Sequence, residues 1–188
     1  MSKAELQETL KSCFPNLEED ALLVLVEHAS FLKSSKGTKL IFEGRKQVYF
    51  YLILKGGVKS YYSKESKDVC VWFAFENEVV GTTTIYEGLP SKETVELLED
   101  SELIRLNIEK IKERRLTDLS ISNLLADLIL EHALCIEEKL YQLQFMSSQE
   151  RYKMLRETAP EIFQKVSLTD IASYLGMSRE TLSRIKSN

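Results

Sequence analysis

Cysteine is scarce in this chain of 188 residues, and its placement excludes two common kinds of scaffold. The three cysteines, Cys13, Cys70 and Cys135, are odd in number, lie far apart and form no C-x-x-C motif. A disulfide framework or a zinc knuckle needs cysteines that can pair, so neither is expected. Reduced cysteines are typical of cytoplasmic proteins, and we expect this localisation.

Long apolar segments and signal-peptide features are also missing. No uninterrupted apolar run approaches the roughly 20 residues that a membrane-spanning helix needs. The most apolar window, 69–75, has the length of a strand. The first residues include an acid at Glu5 and form no apolar core of a signal peptide. Membrane association is therefore not expected.

Catalytic and metal-binding motifs are absent as well. The chain has two histidines, His28 and His132, and both fall in segments that are predicted to be helical. Neither lies among the predicted strands, which excludes the usual metal set of a catalytic cupin-type barrel. There is no nucleophile–base pair, no pair of carboxylates in a glycine-rich setting and no P-loop. We therefore expect no enzymatic activity, no metal and no cofactor.

The net charge of −4 hides an asymmetry along the chain. From residue 147 onward there are seven Lys and Arg against five Asp and Glu, a balance of +2. The remaining 18 Lys and Arg and 24 Asp and Glu give residues 1–146 a balance of −6. A mildly basic C-terminal part on an acidic body fits a small DNA-binding unit attached to a larger effector domain.

The pattern of apolar residues changes twice along the chain and predicts an α+β protein. Two helices are predicted first, at 4–13 and 21–31. Short β-rich runs follow, at 38–43, 48–55, 57–63, 68–75, 93–99 and 102–106. Strands at this spacing are typical of a sandwich or barrel. Further helices are predicted at 108–115 after the capping residue Asn107, at 118–145, and at 148–158 after a capping-box sequence.

The segment 118–145 contains neither glycine nor proline and predicts one long helix. Its apolar residues form two overlapping sets, Ile121, Leu125, Leu128 and Cys135, and Ile129, Ala133, Ile136, Leu140 and Leu143. So broad an apolar stripe can pack on the strand domain and on another helix at the same time. We expect this helix to mediate homodimer formation; the alternative is an ordinary core helix.

The segment 168–187 has the residue sizes of a helix-turn-helix motif. Ala172 is small where the two helices would cross, and Gly176 can adopt the positive φ that ends the first helix. Ser178 can cap the second helix, whose N-terminal part enters the major groove of DNA in motifs of this kind. Apolar residues on both sides of the turn would form a small core: Ile171, Leu175, Met177, Leu182 and Ile185.

The polar residues of the second helix suit contacts with double-stranded DNA. Arg179 and Arg184 can each donate two hydrogen bonds to guanine, and Glu180 can accept one from cytosine. Ser178 and Thr181, together with the helix N-terminus, suit phosphate. The alternative is a three-helix packing unit with a solvated polar face. The predicted DNA-contacting set is Ser178, Arg179, Glu180, Thr181, Ser183 and Arg184.

The sequence 177–185, Met-Ser-Arg-Glu-Thr-Leu-Ser-Arg-Ile, resembles the recognition helix of the cyclic-AMP receptor/anaerobic-regulator (Crp/Fnr) family. The resemblance covers the whole chain, including the glycine-punctuated strands at 36–62 and the long helix. It implies a double-stranded β-helix (jelly-roll or β-roll) sensor domain at 1–117, a dimerisation helix at 118–146 and a helix-turn-helix domain at 147–188. It also implies a homodimer on a two-fold-related DNA site, with RNA polymerase as a further partner.

The resemblance locates a cyclic-nucleotide site, at which this sequence departs from the family pattern. In nucleotide-binding members a Gly-Glu pair and an Arg-Ser/Thr-Ala motif hold the ribose and the cyclic phosphate. Here Gly81 fits, but Thr82 replaces the Glu, and the second motif becomes Ser91-Lys92-Glu93. The arginine fork is missing, and Glu93 would repel a phosphate. We therefore expect an effector other than cyclic AMP, or none.

The residues of the altered site leave two alternatives open. The residues Gly81, Thr82, Thr83, Ser91 and Lys92 could form a pocket for an unknown small-molecule effector. Equally, the pocket could be repacked and empty. A nucleotide- or metabolite-sensing module that controls DNA binding is the alternative function to that of a regulator without an effector.

Members of the family carry a β-hairpin wing after the recognition helix, whereas this sequence ends at Asn188, three residues past Ile185. We expect the domain to lack most of the wing, and the sequence leaves open whether this is native or a truncation. Without the phosphate contacts of a wing, the affinity for DNA should depend more strongly on pairing two copies of the motif.

Overall fold

The computed structural model describes residues 1–64, 67–81 and 83–187, and within these ranges the chain forms nine helices and eight strands. The helices are α1 (Lys3–Cys13), α2 (Glu19–Glu27), α3 (Thr83–Tyr86), α4 (Ile108–Lys112), α5 (Leu119–Phe145), α6 (Ser148–Thr158), α7 (Ile162–Lys165), α8 (Leu168–Tyr174) and α9 (Arg179–Ser187). The strands are β1 (Ala29–Ser34), β2 (Lys39–Ile41), β3 (Tyr49–Lys55), β4 (Val58–Lys64), β5 (Lys67–Ala74), β6 (Val79–Val80), β7 (Thr94–Leu97) and β8 (Ser101–Asn107).

The strands form two antiparallel four-stranded sheets, in the orders β1-β8-β3-β6 and β2-β7-β4-β5. Most neighbours within a sheet are distant in sequence, as when Ala29 of β1 lies opposite Leu106 of β8. Apolar residues of both sheets, such as Leu52 of β3 and Val95 of β7, join one hydrophobic core. The N-terminal half is therefore the double-stranded β-helix that the resemblance implied, and we call it the β-roll.

Helices extend this first core beyond the sheets. Leu10 of α1 and Leu22 of α2 are buried in it, as are Ile111 of α4 and two residues from the first turns of α5, Ile121 and Leu125. Because leucine and isoleucine side chains each contribute roughly 1.5–3 kcal/mol when fully buried, these contacts fix the start of α5 against the β-roll. The rest of α5 extends past the core.

Local capping interactions set the helix starts that the sequence predicted. The Asn107 side chain accepts a hydrogen bond from the Lys110 amide at the start of α4. The Asp118 side chain accepts one from the Ile121 amide, at 3.1 Å, at the start of α5. Ser147 forms the predicted capping box with α6. Each cap pairs an amide that the first turn of a helix leaves without a partner.

A second hydrophobic core joins the C-terminal helices to the β-roll. Its buried residues lie in α6, α7, α8 and α9 and in the turns between these helices, with Leu98 added from the loop after β7. Phe73 of β5 and Phe75 pack against this core from the β-roll side. We call residues 147–187 the HTH unit. It therefore packs on the β-roll of its own chain.

Two parts of the predicted secondary structure were wrong. The helix predicted at 21–31 ends at Glu27, and Ala29–Ser34 is strand β1. This segment continues the apolar pattern of α2, but its backbone pairs with β8, more than 60 residues later. The sequence patterns also did not indicate β6, α3 or α7, which have two to four residues each. Such short elements have too few residues to show a periodicity.

Candidate nucleic-acid interface and ligand cavity

The turn between α8 and α9 has the geometry predicted from its glycine. Gly176 has a φ of +65°, and its amide donates to the Ser173 carbonyl at 3.0 Å. The Met177 amide donates to the Ala172 carbonyl at the same distance. These two bonds form a Schellman motif, which ends α8 and pairs its last carbonyl groups. The chain then starts α9 at Arg179.

The start of α9 is fixed by Ser178, whose hydroxyl accepts a hydrogen bond from the Thr181 amide at 3.1 Å. One face of α9 is apolar: Leu182 is buried, and Ile185 packs against the same core. The predicted core of the motif is therefore confirmed, with Ile171, Ala172 and Leu175 buried on the α8 side. Burial of this face determines which residues of α9 are exposed.

The exposed residues of α9 are the polar ones that the sequence predicted as DNA contacts. Arg179, Glu180, Ser183 and Arg184 are exposed, and Thr181 is half-buried. The Arg184 guanidinium donates to the Thr181 hydroxyl at 3.4 Å, which holds this arginine along the helix. Hydrogen bonds from its own amide and from Ser178 lower the pKa of Glu180. These residues lie on one surface, with the helix N-terminus facing solvent.

Arg151 of α6 anchors the HTH unit and was not singled out from the sequence. Its guanidinium Nε donates to the Leu175 carbonyl at the end of α8, at 2.8 Å. Its Nη1 donates to the carbonyls of Met146 and Gln142 at the end of α5. The residue is only 8% exposed. One buried side chain therefore bonds to carbonyl groups at two helix C-termini, where such groups often lack a backbone donor.

Polar contacts dock the HTH unit on the β-roll. Lys59 of β4 and Asp170 of α8 form an ion pair at 3.2 Å, with side chains only 17% and 19% exposed. The Cys70 amide of β5 donates to the Ser173 hydroxyl at 2.9 Å. Lys165 of α7 pairs with Glu76 and Glu99 of the β-roll, at 3.2 and 3.1 Å. The orientation of α8 is thus tied to the strands of the same chain.

The segment 91–93 occupies the place where the resemblance located a phosphate grip, and its side chains do not converge on a common point. Ser91 is buried, and its hydroxyl is bonded to the backbone of Glu93. Lys92 is exposed. Glu93 is 6% exposed, and its carboxylate accepts hydrogen bonds from Trp72 Nε1, at 2.9 Å, and from the Ser60 hydroxyl. Burial raises the pKa of Glu93, against the effect of these two bonds. The buried charged side chain of the segment 91–93 is therefore the carboxylate of Glu93.

Gly81 and Thr83 lie beside a different space, and Thr82 lies outside the described residues. A Cβ added at Gly81 would stand 2.2 Å from the Phe50 ring, so the backbone passes directly over this ring. The predicted pocket set is therefore divided: Gly81 and Thr83 line the cavity described next, whereas Ser91 and Lys92 do not.

A cavity of about 500 Å³ lies between the β-roll, α5 and the HTH unit. Its walls include Trp72 and Phe73 of β5, Tyr174 of α8 and a face of α5 that contains His132 and Lys139. Lys139 Nζ donates to the Tyr174 carbonyl at 2.6 Å and lies 3.2 Å from the centre of the Tyr174 ring. Burial lowers the pKa of Lys139 to about 8. The volume is in the range of small-molecule sites.

The outer part of α5 is apolar and exposed. Ile136, Leu140 and Leu143 are 55%, 54% and 47% exposed. By length and composition α5 could cross a membrane: an 18-residue window has a mean hydropathy of 1.5, and 11% of this window is buried. Acids such as Asp127 and Glu131 interrupt this segment, so it contains no long apolar run although its average hydropathy is high.

Among the described residues, no group of three or more His, Cys, Asp or Glu side chains is placed to hold a metal ion. Comparison with known protein families gives one match: the model of the cyclic nucleotide-binding domain matches residues 31–117. These residues belong to the cyclic nucleotide-binding domain family. The domain coincides with the β-roll and α4, and Glu93 points into it at the site where the resemblance expects a phosphate grip.

Solved structures resemble more of the chain than the cyclic nucleotide-binding domain alone. FixK2 from Bradyrhizobium japonicum has a TM-score of 0.73 at 20% identity, covering 85% of this chain and 83% of its own. A protein described as a transcriptional regulator of the Crp/Fnr family, from Eubacterium rectale, has a TM-score of 0.73 at 16% identity, covering 92% and 83%. The c-di-GMP-responsive regulator CLP from Xanthomonas campestris has 0.68 at 16% identity, covering 90% of each chain.

The resemblance to the Crp/Fnr family is thereby confirmed, and the chain has the fold of its transcription regulators. None of the curated protein sequences matches this chain. At such low identities the likeness concerns the fold, and a fold can carry different functions. The function of this chain therefore has to be judged by its own side chains. Among these, Lys139 and Arg151 were not singled out from the sequence.

Proposed function

We propose that this chain is a sequence-specific, DNA-binding transcription regulator that acts as a homodimer. The observation that carries the proposal is the surface of α9, where Arg179, Glu180 and Arg184 are exposed directly after a capped helix start. Bidentate arginines and an acceptor at the N-terminal end of such a helix match the hydrogen-bonding groups in the major groove. The same proposal places the protein in the cytoplasm, with RNA polymerase as a further partner.

The exposed part of α5 supports a homodimer. Small and apolar residues recur along one face at alternating steps of four and three: Ser122, Ala126, Ile129, Ala133, Ile136, Leu140 and Leu143. This is the heptad spacing of a two-stranded coiled coil. Pairing through this seam would cover the exposed side chains of Ile136, Leu140 and Leu143 without a membrane. It would also bring two α9 helices to one DNA site, with half-sites about one helical turn apart.

Introducing acidic residues on two different faces of α5 tests which face forms the seam. In the variant Ile136→Glu/Leu140→Glu, two acids stand in the seam, and we expect a monomer in analytical ultracentrifugation. The control Leu130→Glu/Leu134→Glu places the same charges on another exposed face of α5 and should leave a dimer. A dimer in both variants, or a monomer in both, would contradict the seam.

The effector is proposed to be something other than cyclic AMP, or there is none. A cyclic phosphate needs a buried cation, and the inward-pointing side chain at this place is Glu93, bonded to Trp72. The Xanthomonas relative is described as responsive to c-di-GMP, so effectors differ among proteins of this fold. Calorimetry with cyclic AMP and cyclic GMP should show no saturable binding.

The second candidate function is a sensing module whose ligand controls DNA binding. The observation that favours it is the cavity of about 500 Å³ between the β-roll, α5 and the HTH unit. A ligand in this position would contact all three parts of the chain. The two candidates share the DNA-binding surface and differ in whether a ligand acts on it.

Selection from a random DNA library tests the proposal. The wild-type chain should enrich a two-fold-related sequence, whereas Arg179→Ala/Arg184→Ala should lose this enrichment, because each guanine contact contributes about 1–3 kcal/mol. The control Lys153→Ala/Arg156→Ala removes two exposed cations from α6 and should enrich the same sequence as the wild type. Equal enrichment by the wild type and the α9 variant would refute the assigned surface.

A further inference from the structure

The cavity between the β-roll, α5 and the HTH unit has walls of aromatic rings. Rings from the β-roll and from α8 surround it: Phe50, Tyr62, Trp72, Phe73, Tyr86 and Tyr174. Leu128 and Ile129 of α5 add aliphatic surface. Such a lining favours a ligand with a flat apolar body, because rings stack on rings and exclude water.

Lys139 is the cation of this cavity nearest to the HTH unit. Its ammonium donates to the Tyr174 carbonyl at 2.6 Å, and within the described part of the chain it forms no ion pair. An ammonium has three donors, so hydrogen-bonding capacity remains on the cavity side. A partly buried charge without a counter-ion is costly, and an anion placed beside it would offset that cost.

The other end of the cavity has the opposite charge. Glu78 and Glu131 line it there, next to His132. Glu131 and Lys139 are eight residues apart on α5, which is about 12 Å along a helix. An anionic group is therefore repelled at the Glu78 end and attracted at the Lys139 end, so the two ends give a ligand one preferred direction.

We propose that the cavity binds an organic anion with an aromatic body, the acid group pairing with Lys139 and the rings lying against Trp72 and Phe73. A carboxylate or sulfonate fits this geometry. The anion would be the effector of the regulator proposed above, and only this regulatory consequence rests on that function. The acid group lies at α5 and α8 instead of at the segment 91–93, where Glu93 would repel it.

A ligand at this site would contact several parts of the chain at once and so affect the orientation of the HTH unit. Trp72 and Phe73 belong to β5, Lys139 to α5, and Tyr174 to α8, the helix that precedes the recognition helix. A molecule that contacts all of them stabilises one orientation of the HTH unit relative to the β-roll. Ile136, Leu140 and Leu143 belong both to the proposed seam and to the wall of this cavity, so in the proposed dimer the partner helix would form part of the wall.

Two dyes with the same ring system separate the acid group from the apolar body. The anion 8-anilinonaphthalene-1-sulfonate and the neutral N-phenyl-1-naphthylamine are titrated into the full chain, and quenching of Trp72, the one tryptophan of the sequence, reports binding at the cavity. We expect Lys139→Gln to weaken the anionic dye about tenfold and to change the neutral dye less than twofold. Lys139→Arg should restore the affinity for the anion.

A control variant distinguishes the loss of the Lys139 charge from a general effect of removing a cation from this part of the chain. Lys153→Gln removes a cation from the exposed surface of α6 and should change neither dye. An equal effect of Lys139→Gln on both dyes, or no effect on either, would overturn the proposal. The dye titrations need no DNA, so failure of the DNA selection leaves their result intact.

Discussion

The recognition helix α9 and the segment 91–93 both carry charged residues where the family resemblance expects contacts with an anionic partner, and the fold places these charges in opposite environments. On α9 the apolar side packs inward and leaves Arg179, Glu180 and Arg184 exposed. In the segment 91–93 the lysine points outward, and the acid is buried with hydrogen bonds from the chain itself. The charged groups of α9 are therefore available to a partner, whereas the carboxylate of Glu93 is hydrogen-bonded within the chain.

The contrast follows from how the two regions are built. A helix nine residues long needs one apolar stripe, so its other side can carry functional groups at little cost to stability. The segment 91–93 leads into β7, where successive side chains point to opposite sides and the inner side belongs to a core. A charge on that inner side must find partners within the protein, and Trp72 and Ser60 provide them.

The largest expected effect comes from removing the anchor of the HTH unit. Arg151→Ala removes the guanidinium donor of the Leu175 and Met146 carbonyls, and we expect about 3 kcal/mol of lost stability in urea unfolding. The control Arg156→Ala, on the exposed side of the same helix, should stay within about 0.5 kcal/mol of the wild type. A small effect of Arg151→Ala would mean that α9 is presented without this support.

A smaller effect on stability is expected when the buried acid Glu93 is replaced by glutamine. Burial raises the pKa of Glu93 above its unfolded value, so its contribution to stability is full at low pH and is lost as the pH rises through the folded pKa. Glu93→Gln keeps an acceptor for Trp72 and removes the charge. Relative to the wild type, this variant should gain unfolding free energy as the pH rises from 4 to neutral pH. A constant difference would indicate that Glu93 stays equally solvated in both states.

The smallest effect is expected at the outward-pointing member of the same segment. Lys92→Ala should change the unfolding free energy by less than about 0.5 kcal/mol, because the side chain is exposed. The dye affinities should not change either, since Lys92 does not line the cavity. Weaker binding of the anionic dye in this variant would bring the segment 91–93 back into the ligand site and remove the contrast with α9.

The features that local sequence could predict are those that depend on a few neighbouring residues. Gly176 indicated the turn, Ser178 the helix start, and the capping box at Ser147 the boundary between α5 and α6. The sequence located Glu93 at the altered site, but the burial of this residue depends on Trp72 and Ser60, which are distant along the chain. Strand β1 could not be predicted from its local sequence, because its partner β8 lies far along the chain.

Lys139 and Arg151 show where prediction from sequence ends. The partner of Lys139 is Tyr174, 35 residues later, and that of Arg151 is Leu175, 24 residues later. Nothing in the spacing of charged residues on α5 or α6 indicates these carbonyl acceptors. Contacts between separately folded parts depend on how those parts come together, which the periodicity of each part does not contain.

In the regulator proposed above, the ion pair of Lys59 with Asp170 and the bond from Cys70 to Ser173 would affect the choice of operator. Each HTH unit that must leave its docked position to reach a half-site gives up the free energy of these contacts. Every 1.4 kcal/mol given up reduces the association constant for DNA about tenfold. The strength of docking therefore acts as a threshold, which strong operators pass and weak ones do not, and a single substitution at the β4–α8 contact would move that threshold for all operators together.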